Sequence, residues 1–387
     1  MKKNIFKLSK EKLISALSAL FPSKCINACA SDKYDAAADI NAGLSENEFG
    51  GAVIKLSADK FQEAGFARGD SLNISFSNGY NLKDVPYYNG YYGKYGEVVV
   101  CSYPGYENPV ITSCGKGTFW KDTGLDESDT ADISLNTKEK YLDIQEALNL
   151  KYSNDRNDYD TDEAFANFRY LKGDNIKENY FYRGASPLDN HMKRAVTANG
   201  LLEKYRIKFV MDISDTDSSV KSFSKEDGFS CDYFMELYNN GLVEPLGLGV
   251  DYQSSEYKRN LSKAFIEMTK HEGPVYINCL EGKDRTGFVC ALAQALAGAS
   301  YREIKDDYMA TYKDYYAITK ENTPEQYDSI LSIYFRNLMI SLTGSSEDSN
   351  YSTEALTRAA ENYFIEGGMS KDELENLKDY LKYGFQE

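Results

Sequence analysis

The segment Val275-Tyr276-Ile277-Asn278-Cys279-Leu280-Glu281-Gly282-Lys283-Asp284-Arg285-Thr286-Gly287 constrains the fold more than any other stretch of the chain. Gly273-Pro274 turns the backbone into it, and Val275 to Ile277 form an apolar run of strand length. Phe288, Val289, Leu292, Ala293 and Leu296 then recur at helical spacing until Gly298. A strand ending at Asn278, a tight loop and a helix beginning near Arg285 follow from this pattern. Strands also alternate with helices after Ala164, starting with Phe209 to Ile213, so the expected class is α/β, with a mainly parallel sheet flanked by helices. In such sheets the functional loop sits at the carboxyl end of a strand.

That order of elements has a chemical consequence. Cys279 lies over backbone N–H groups and the positive end of a helix dipole, which lowers a thiol pKa, and the thiolate is the nucleophilic form. Successive loop amides make a nest for three phosphate oxygens, and Arg285 offers a planar fork of donors for two of them. Gly282 permits the tight backbone path. The Thr286 hydroxyl is placed to hold the thiolate or assist its departure. The competing reading is an inert buried cysteine at a strand end.

These residues resemble the protein tyrosine phosphatase superfamily, and Gly282-Lys283-Asp284-Arg285-Thr286-Gly287 is similar to its bacterial branch of tyrosine and phosphoinositide phosphatases. Upstream, Phe181-Tyr182-Arg183-Gly184-Ala185-Ser186-Pro187 resembles the segment that opens the catalytic domain in that branch. The resemblance implies Cys279 as nucleophile and Arg285 as phosphate clamp, with Leu280, Glu281, Gly282, Lys283, Asp284, Arg285 and Thr286 as the phosphate-binding loop. It implies that Lys283 favours multiply phosphorylated substrates and that Asp284 is an acid. It also implies a two-step reaction through a phosphocysteine, with no metal and no cofactor. Many relatives carry His before the nucleophile where this chain has Asn278, whose amide brings no positive charge to the cysteine.

Other acid candidates are Asp251, in Gly249-Val250-Asp251-Tyr252 on an expected mobile loop, and Asp212, Asp215 and Asp217 after the Phe209 strand. Any single one of them is more ordinarily a solvated or helix-capping carboxylate. Asp212 reads as organising the site rather than donating a proton, as do Arg183 and Lys283 where they do not touch substrate. Asp284 and Asp251 are favoured without a ranking. Expected substrates are phosphotyrosine or phosphoinositide; the alternatives are inositol polyphosphate (phytate) hydrolysis, or a phospho-ligand binding module with weak turnover.

With 387 residues, 42% of them hydrophobic and 13% aromatic, the chain has apolar material for one large or two ordinary domains. The net charge of −16 argues against nucleic acid as a partner, so attraction for a phosphate must be local. Only two histidines are present, His191 and His271, and Cys25-x-x-x-Cys29 lacks a second half for a metal site. The 7 cysteines form no disulfide framework; Cys101 and Cys114 are read as a pair or as two free thiols.

The first 45 residues read as a leader. Met1-Lys2-Lys3 precedes a short apolar stretch, Leu13 to Phe21, and Ala28-Cys29-Ala30 fits a cleavage pattern, so export to the envelope or exterior is expected, with a cytoplasmic protein as the alternative. No apolar run reaches the ~18 residues of a membrane span. From 46 to 150 short β signals separated by turn pairs such as Asn78-Gly79 predict a small barrel or sandwich. The tyrosine-dense stretch Asp84 to Tyr92 reads as packing surface. Residues 151–163 are an acidic linker, and 164–387 a phosphatase domain with a helical C-terminal cap broken at Gly367-Gly368. Tyr308 and Tyr312 are read as core, and Tyr315 and Tyr316 as candidates for the substrate mouth.

Overall fold

The computed structural model describes residues 37–226, 230–345 and 351–386. The leader signals and the Cys25–Cys29 pair lie outside the described residues. Seven strands close on themselves in the order β1-β2-β6-β5-β4-β3-β7. They are β1 Ile40–Glu46, β2 Ala52–Ile54, β3 Ser71–Phe76, β4 Asn81–Tyr88, β5 Val98–Cys101, β6 Val110–Ser113 and β7 Thr130–Thr137. Closure comes from β1, which pairs antiparallel with both β2 and β7. It removes the free strand edges that would invite association. Alternating positions of these strands, among them Leu44, Ile54, Leu72, Ile74 and Ile133, fill the interior together with Phe61 and Trp120. Strand β1 begins inside the stretch read as leader, because Ala42 and Leu44 complete this barrel core.

Strands β4 and β5 are parallel, so the chain must cross over between them, and the crossover carries Tyr91 and Tyr92. Tyr88, Tyr92, Val99 and Cys114 pack in the same apolar cluster as Phe288, Leu292 and Tyr312 from the second half of the chain. The barrel is thereby seated on the helices around the second sheet, and residues 37–387 make one compact unit. Cys101 and Cys114 are buried free thiols.

The second sheet has the order β11-β10-β12-β9-β8. It comprises β8 Arg169–Tyr170, β9 Phe181–Ala185, β10 Phe209–Asp212, β11 Val243–Pro245 and β12 Val275–Cys279. Strand β12 runs parallel to β10 on one side and β9 on the other, β10 parallel to β11, and β8 antiparallel to β9. Every residue of β9, β10 and β12 is buried, the pattern of strands covered on both faces. One layer holds Ser255–Met268, Asp284–Leu296 and the C-terminal helices; the other holds Ala195–Lys204 and Asp232–Asn239. The helix Tyr301–Tyr316 starts in a Ser300/Glu303 capping box and buries Ile304, Tyr308, Met309 and Tyr312, as their spacing predicts. The C-terminal cap is the pair Thr353–Glu366 and Lys371–Tyr383.

Candidate active site

Strand β12 delivers Cys279, 2% exposed, to the mouth of a loop that turns directly into the helix Asp284–Leu296. The backbone at Gly282 is left-handed (φ +66°), and a Cβ there would stand 2.2 Å from the Gly184 carbonyl. Glycine is therefore required twice over, for the torsion and for the approach to β9. Behind the loop, donors take its carbonyls in turn. The Ser186 amide binds Leu280 O at 3.1 Å, Tyr315 Oη binds Glu281 O at 2.9 Å, and Arg183 Nη2 binds Gly282 O at 2.7 Å. In a trans peptide the N–H points opposite to the C=O. The amides of Glu281, Gly282 and Lys283 are thus turned the other way, into the bowl, and among the described residues no protein acceptor takes them. Three inward N–H groups at a helix start form an anion cradle.

Arg285 stands in the first turn of that helix, with Nη1 donating to Leu248 O at 3.2 Å. Burial opposes its charge, but the Cys279 sulfur, with Tyr252, Tyr257 and Asp212 contributing less, pushes its pKa up. Thr286 is fully buried, and its Oγ1 has no hydrogen-bond partner among the described residues. All the loop residues singled out from sequence, Cys279 through Thr286, are brought together here.

Arg183 is not at the mouth. It is 1% exposed, pairs with Asp307 at 2.6 Å, and grips the loop from behind. Asp307 also pairs with Arg169 at 2.8 Å, and Arg169 Nη1 holds Asn167 Oδ1 at 2.6 Å. Asn167 in turn donates to Glu281 O (3.2 Å) and Gly282 O (3.0 Å). Burial alone would raise the Asp307 pKa; the two guanidiniums overcome it and hold the carboxyl below its ordinary value.

Asp212 lies opposite Asn278 in the β10–β12 register and is fully buried. Its Oδ1 accepts from the Ser214 amide and hydroxyl and from the Asp215 amide, each at 3.1 Å. Burial raises the pKa of both Asp212 and Asp215, and with two carboxylates side by side the Asp215 value is pushed up to about 8. Asp217 is instead on the helix Asp217–Phe223, accepting from Tyr238 Oη at 2.6 Å. The segment carrying Asp251 is tied down rather than loose. The Leu246, Gly247 and Leu248 amides bind the Asp212, Asp215 and Ile213 carbonyls, the Tyr252 ring stacks on Phe288 at 4.1 Å, and Tyr363 Oη binds Tyr252 O. Asp251 abuts Gly117 of the barrel. Asp284 is at the rim, its side chain 58% exposed and 3.7 Å from Lys283 Nζ. Crowding by the surrounding walls raises its pKa, against the opposing pull of Lys283.

Lys283 does not point freely outward. Its Nζ pairs with Glu281 Oε2 at 2.9 Å, and Glu281 Oε1 accepts from Tyr152 Oη at 2.7 Å. Tyr152 belongs to the acidic segment read as a linker, and it packs against Tyr315 (5.3 Å) and Tyr316 (5.4 Å). Tyr316 is at the mouth, 3.5 Å from Lys283, while Tyr315 is buried beneath the loop.

A profile of the tyrosine phosphatase family matches residues 163–383. The chain belongs to the tyrosine phosphatase family. It is accordingly a phosphatase, and the matched span contains the cradle, its brace and the C-terminal cap. Among solved structures it is similar to the core catalytic domain of the PP-IP phosphatase SIW14 from S. cerevisiae, in complex with citrate. That likeness is 17% in identity, covers 46% of this chain and 98% of that one, and has a TM-score of 0.25. No curated protein sequence matches the chain.

Sequence reasoning missed Asn167, Arg169, Asp307 and Tyr152. Asn167 and Arg169 stand just upstream of the Arg183 segment, and Asp307 is one of four acids on a tyrosine-rich helix, beside Glu303, Asp306 and Asp314, so composition does not single them out. Among the described residues no helix is long and apolar enough to cross a membrane.

Proposed function

We propose that this chain hydrolyses phosphomonoesters through a phosphocysteine intermediate on Cys279. The observation that carries the proposal is the loop between Cys279 at the strand end and Arg285 in the first helical turn, whose three amides have no protein acceptor among the described residues. In the first step the Cys279 thiolate attacks phosphorus in line, the P–O ester bond breaks, and the proton of a carboxylic acid passes to the leaving oxygen. Asp284 stands at the rim where that oxygen departs and is assigned the role; Asp251 is the second candidate. Water then attacks phosphorus, the carboxylate takes its proton, the S–P bond breaks, and inorganic phosphate and the thiolate are regenerated. Arg285 and the amides hold the equatorial oxygens, whose charge is matched in a site shielded from bulk water.

The substrate is assigned as a phosphotyrosyl side chain, with the tyrosyl phenol as leaving group, because Tyr316 stands beside Lys283 with its ring packed on Tyr152; a phosphoinositide is the alternative. The test is vanadate-sensitive release of phosphate from p-nitrophenyl phosphate. Cys279→Ser and Arg285→Ala are expected to lower kcat/KM by at least about a thousandfold. Retained turnover in Cys279→Ser overturns the mechanism, and phosphate binding without turnover in the wild type makes the chain a binding module.

A further inference from the structure

The structure assigns Glu281 as a specificity-determining residue that reserves the cradle for substrates carrying one phosphate. This rests on reading Cys279 to Arg285 as the substrate loop. An ammonium beside a phosphate site is the natural partner for a second phosphate on the same substrate. Here that partner is already taken. Lys283 Nζ is 2.9 Å from Glu281 Oε2, and the two side chains are only 15% and 16% exposed. The remaining Glu281 oxygen is held by Tyr152, whose ring is stacked under the Arg194 guanidinium at 4.8 Å. The carboxylate is thus fixed at both oxygens and does not swing away at little expense.

The neighbours of Lys283 sharpen the point. Asp284 Oδ2 lies 3.7 Å away and Tyr316 Oη 3.5 Å away. The one cation is therefore neutralised by Glu281 with a second carboxyl beside it, and a second phosphate brought there finds no free positive charge to pair with. Beyond Tyr316 the wall is neutral and aromatic: Tyr316 to Tyr312 at 5.7 Å, Tyr312 to Tyr334 at 6.3 Å, and Tyr334 to Tyr92 of the barrel at 6.3 Å. Tyr312 and Tyr92 are buried behind Tyr316, so Tyr316 is backed by neutral aromatic packing that offers a polyanion no charge. The single phosphate in the cradle is unaffected, since Arg285 and the amides bind it.

The test uses binding to the Cys279→Ser protein, which removes turnover from the comparison. Phenyl phosphate and inositol hexakisphosphate are titrated calorimetrically into that protein with and without Glu281→Gln, which keeps the shape and the Tyr152 contact. Removing the charge is expected to tighten inositol hexakisphosphate roughly tenfold, the scale of a close like-charge contact, and to move phenyl phosphate less than about threefold. Lys283→Gln closes the cycle: alone it leaves inositol hexakisphosphate affinity within about threefold, and in the Glu281→Gln background it abolishes the gain. An unchanged ratio between the two ligands overturns the inference, as does equal weakening of both, which marks Glu281 as a prop for the loop. A tenfold loss from Lys283→Gln alone overturns it too, since Lys283 then already serves a second phosphate. Retained turnover in Cys279→Ser sinks the mechanism and is read beforehand as phosphate release, whereas the inference about Glu281 fails only in the binding ratios of a protein that releases none, so the two failures are distinct.

Discussion

Asp307 meets Arg183 at 2.6 Å beneath the phosphate loop, and through that guanidinium it fixes the Gly282 carbonyl and the direction in which the neighbouring amides point. The same carboxylate holds Arg169, so its loss leaves two buried guanidiniums facing each other. Breaking a buried pair from one side costs about 3–5 kcal/mol. Asp307→Ala is therefore expected to lower unfolding stability by about that much and to weaken inhibition by inorganic phosphate. Urea titration and phosphate inhibition of the same preparation measure both. An unchanged urea midpoint would show that the brace is idle.

The Asp212 and Asp215 pair predicts a pH dependence with a definite sign. Asp215 is held protonated up to about 8 in the folded chain, against 3.8 for an ordinary aspartate. Between those values the native state binds more protons than the unfolded state, so stability falls as pH rises, by up to about 1.4 kcal/mol per pH unit for one proton. The contribution is complete below pH ~4 and gone above ~8. Asp215→Asn should flatten that slope and leave the variant more stable than wild type at pH 8, while matching it near pH 4. Denaturant midpoints at the two pH values decide the matter; parallel curves for the two proteins contradict the assignment.

The strand, loop and helix around Cys279 were legible because each rests on a local pattern: an apolar run, a glycine at a tight turn, and apolar residues at helical spacing. The barrel was legible in β2, β3, β5 and β6, but β4 overlaps the tyrosine-dense stretch from Asp84 read as packing surface, and β7 was not singled out. Nor was β1 with its sequence Ile-Asn-Ala-Gly-Leu-Ser-Glu, since its strand character comes from pairing with β2 and β7 rather than from its residues. The second tier of the site was hidden for a different reason. Arg183 and Asp307 are 124 positions apart and Tyr152 and Glu281 129, and nothing local announces such contacts. The Lys283–Glu281 pair is only two positions apart in sequence yet was unread, because it depends on the left-handed turn at Gly282 between them. Lys283 consequently looked like a free cation for a second phosphate.

Gly282 tests the cradle without touching any charged group. Alanine there has to adopt φ near +66° and place its Cβ 2.2 Å from the Gly184 carbonyl carbon and oxygen. The torsion alone costs of order 1 kcal/mol, and the overlap forces the loop off β9. Gly282→Ala is expected to weaken phosphate or vanadate binding by at least about tenfold, with a far smaller change in far-ultraviolet circular dichroism. Normal vanadate inhibition in this variant would mean that the amides do not form the anion site.

The final prediction separates Asp284 from Asp251. A general acid matters most when the leaving oxygen is a poor one, because an alkoxide or an unactivated phenoxide must be protonated as it departs, whereas p-nitrophenoxide leaves unaided. Asp284 is at the exposed rim of the loop, while Asp251 lies against Gly117 on a segment pinned to the Asp212–Asp215 turn. Asp284→Asn should therefore lower kcat on phenyl phosphate by about a hundredfold or more but on p-nitrophenyl phosphate by less than about tenfold, and should remove the alkaline limb of the kcat profile for the poor substrate. Asp251→Asn should shift both substrates alike and leave that limb in place. The reverse pattern, with leaving-group dependence and the loss of the limb both appearing in Asp251→Asn, would transfer the proton donor to the tethered segment and leave Asp284 as a counter-charge for Lys283.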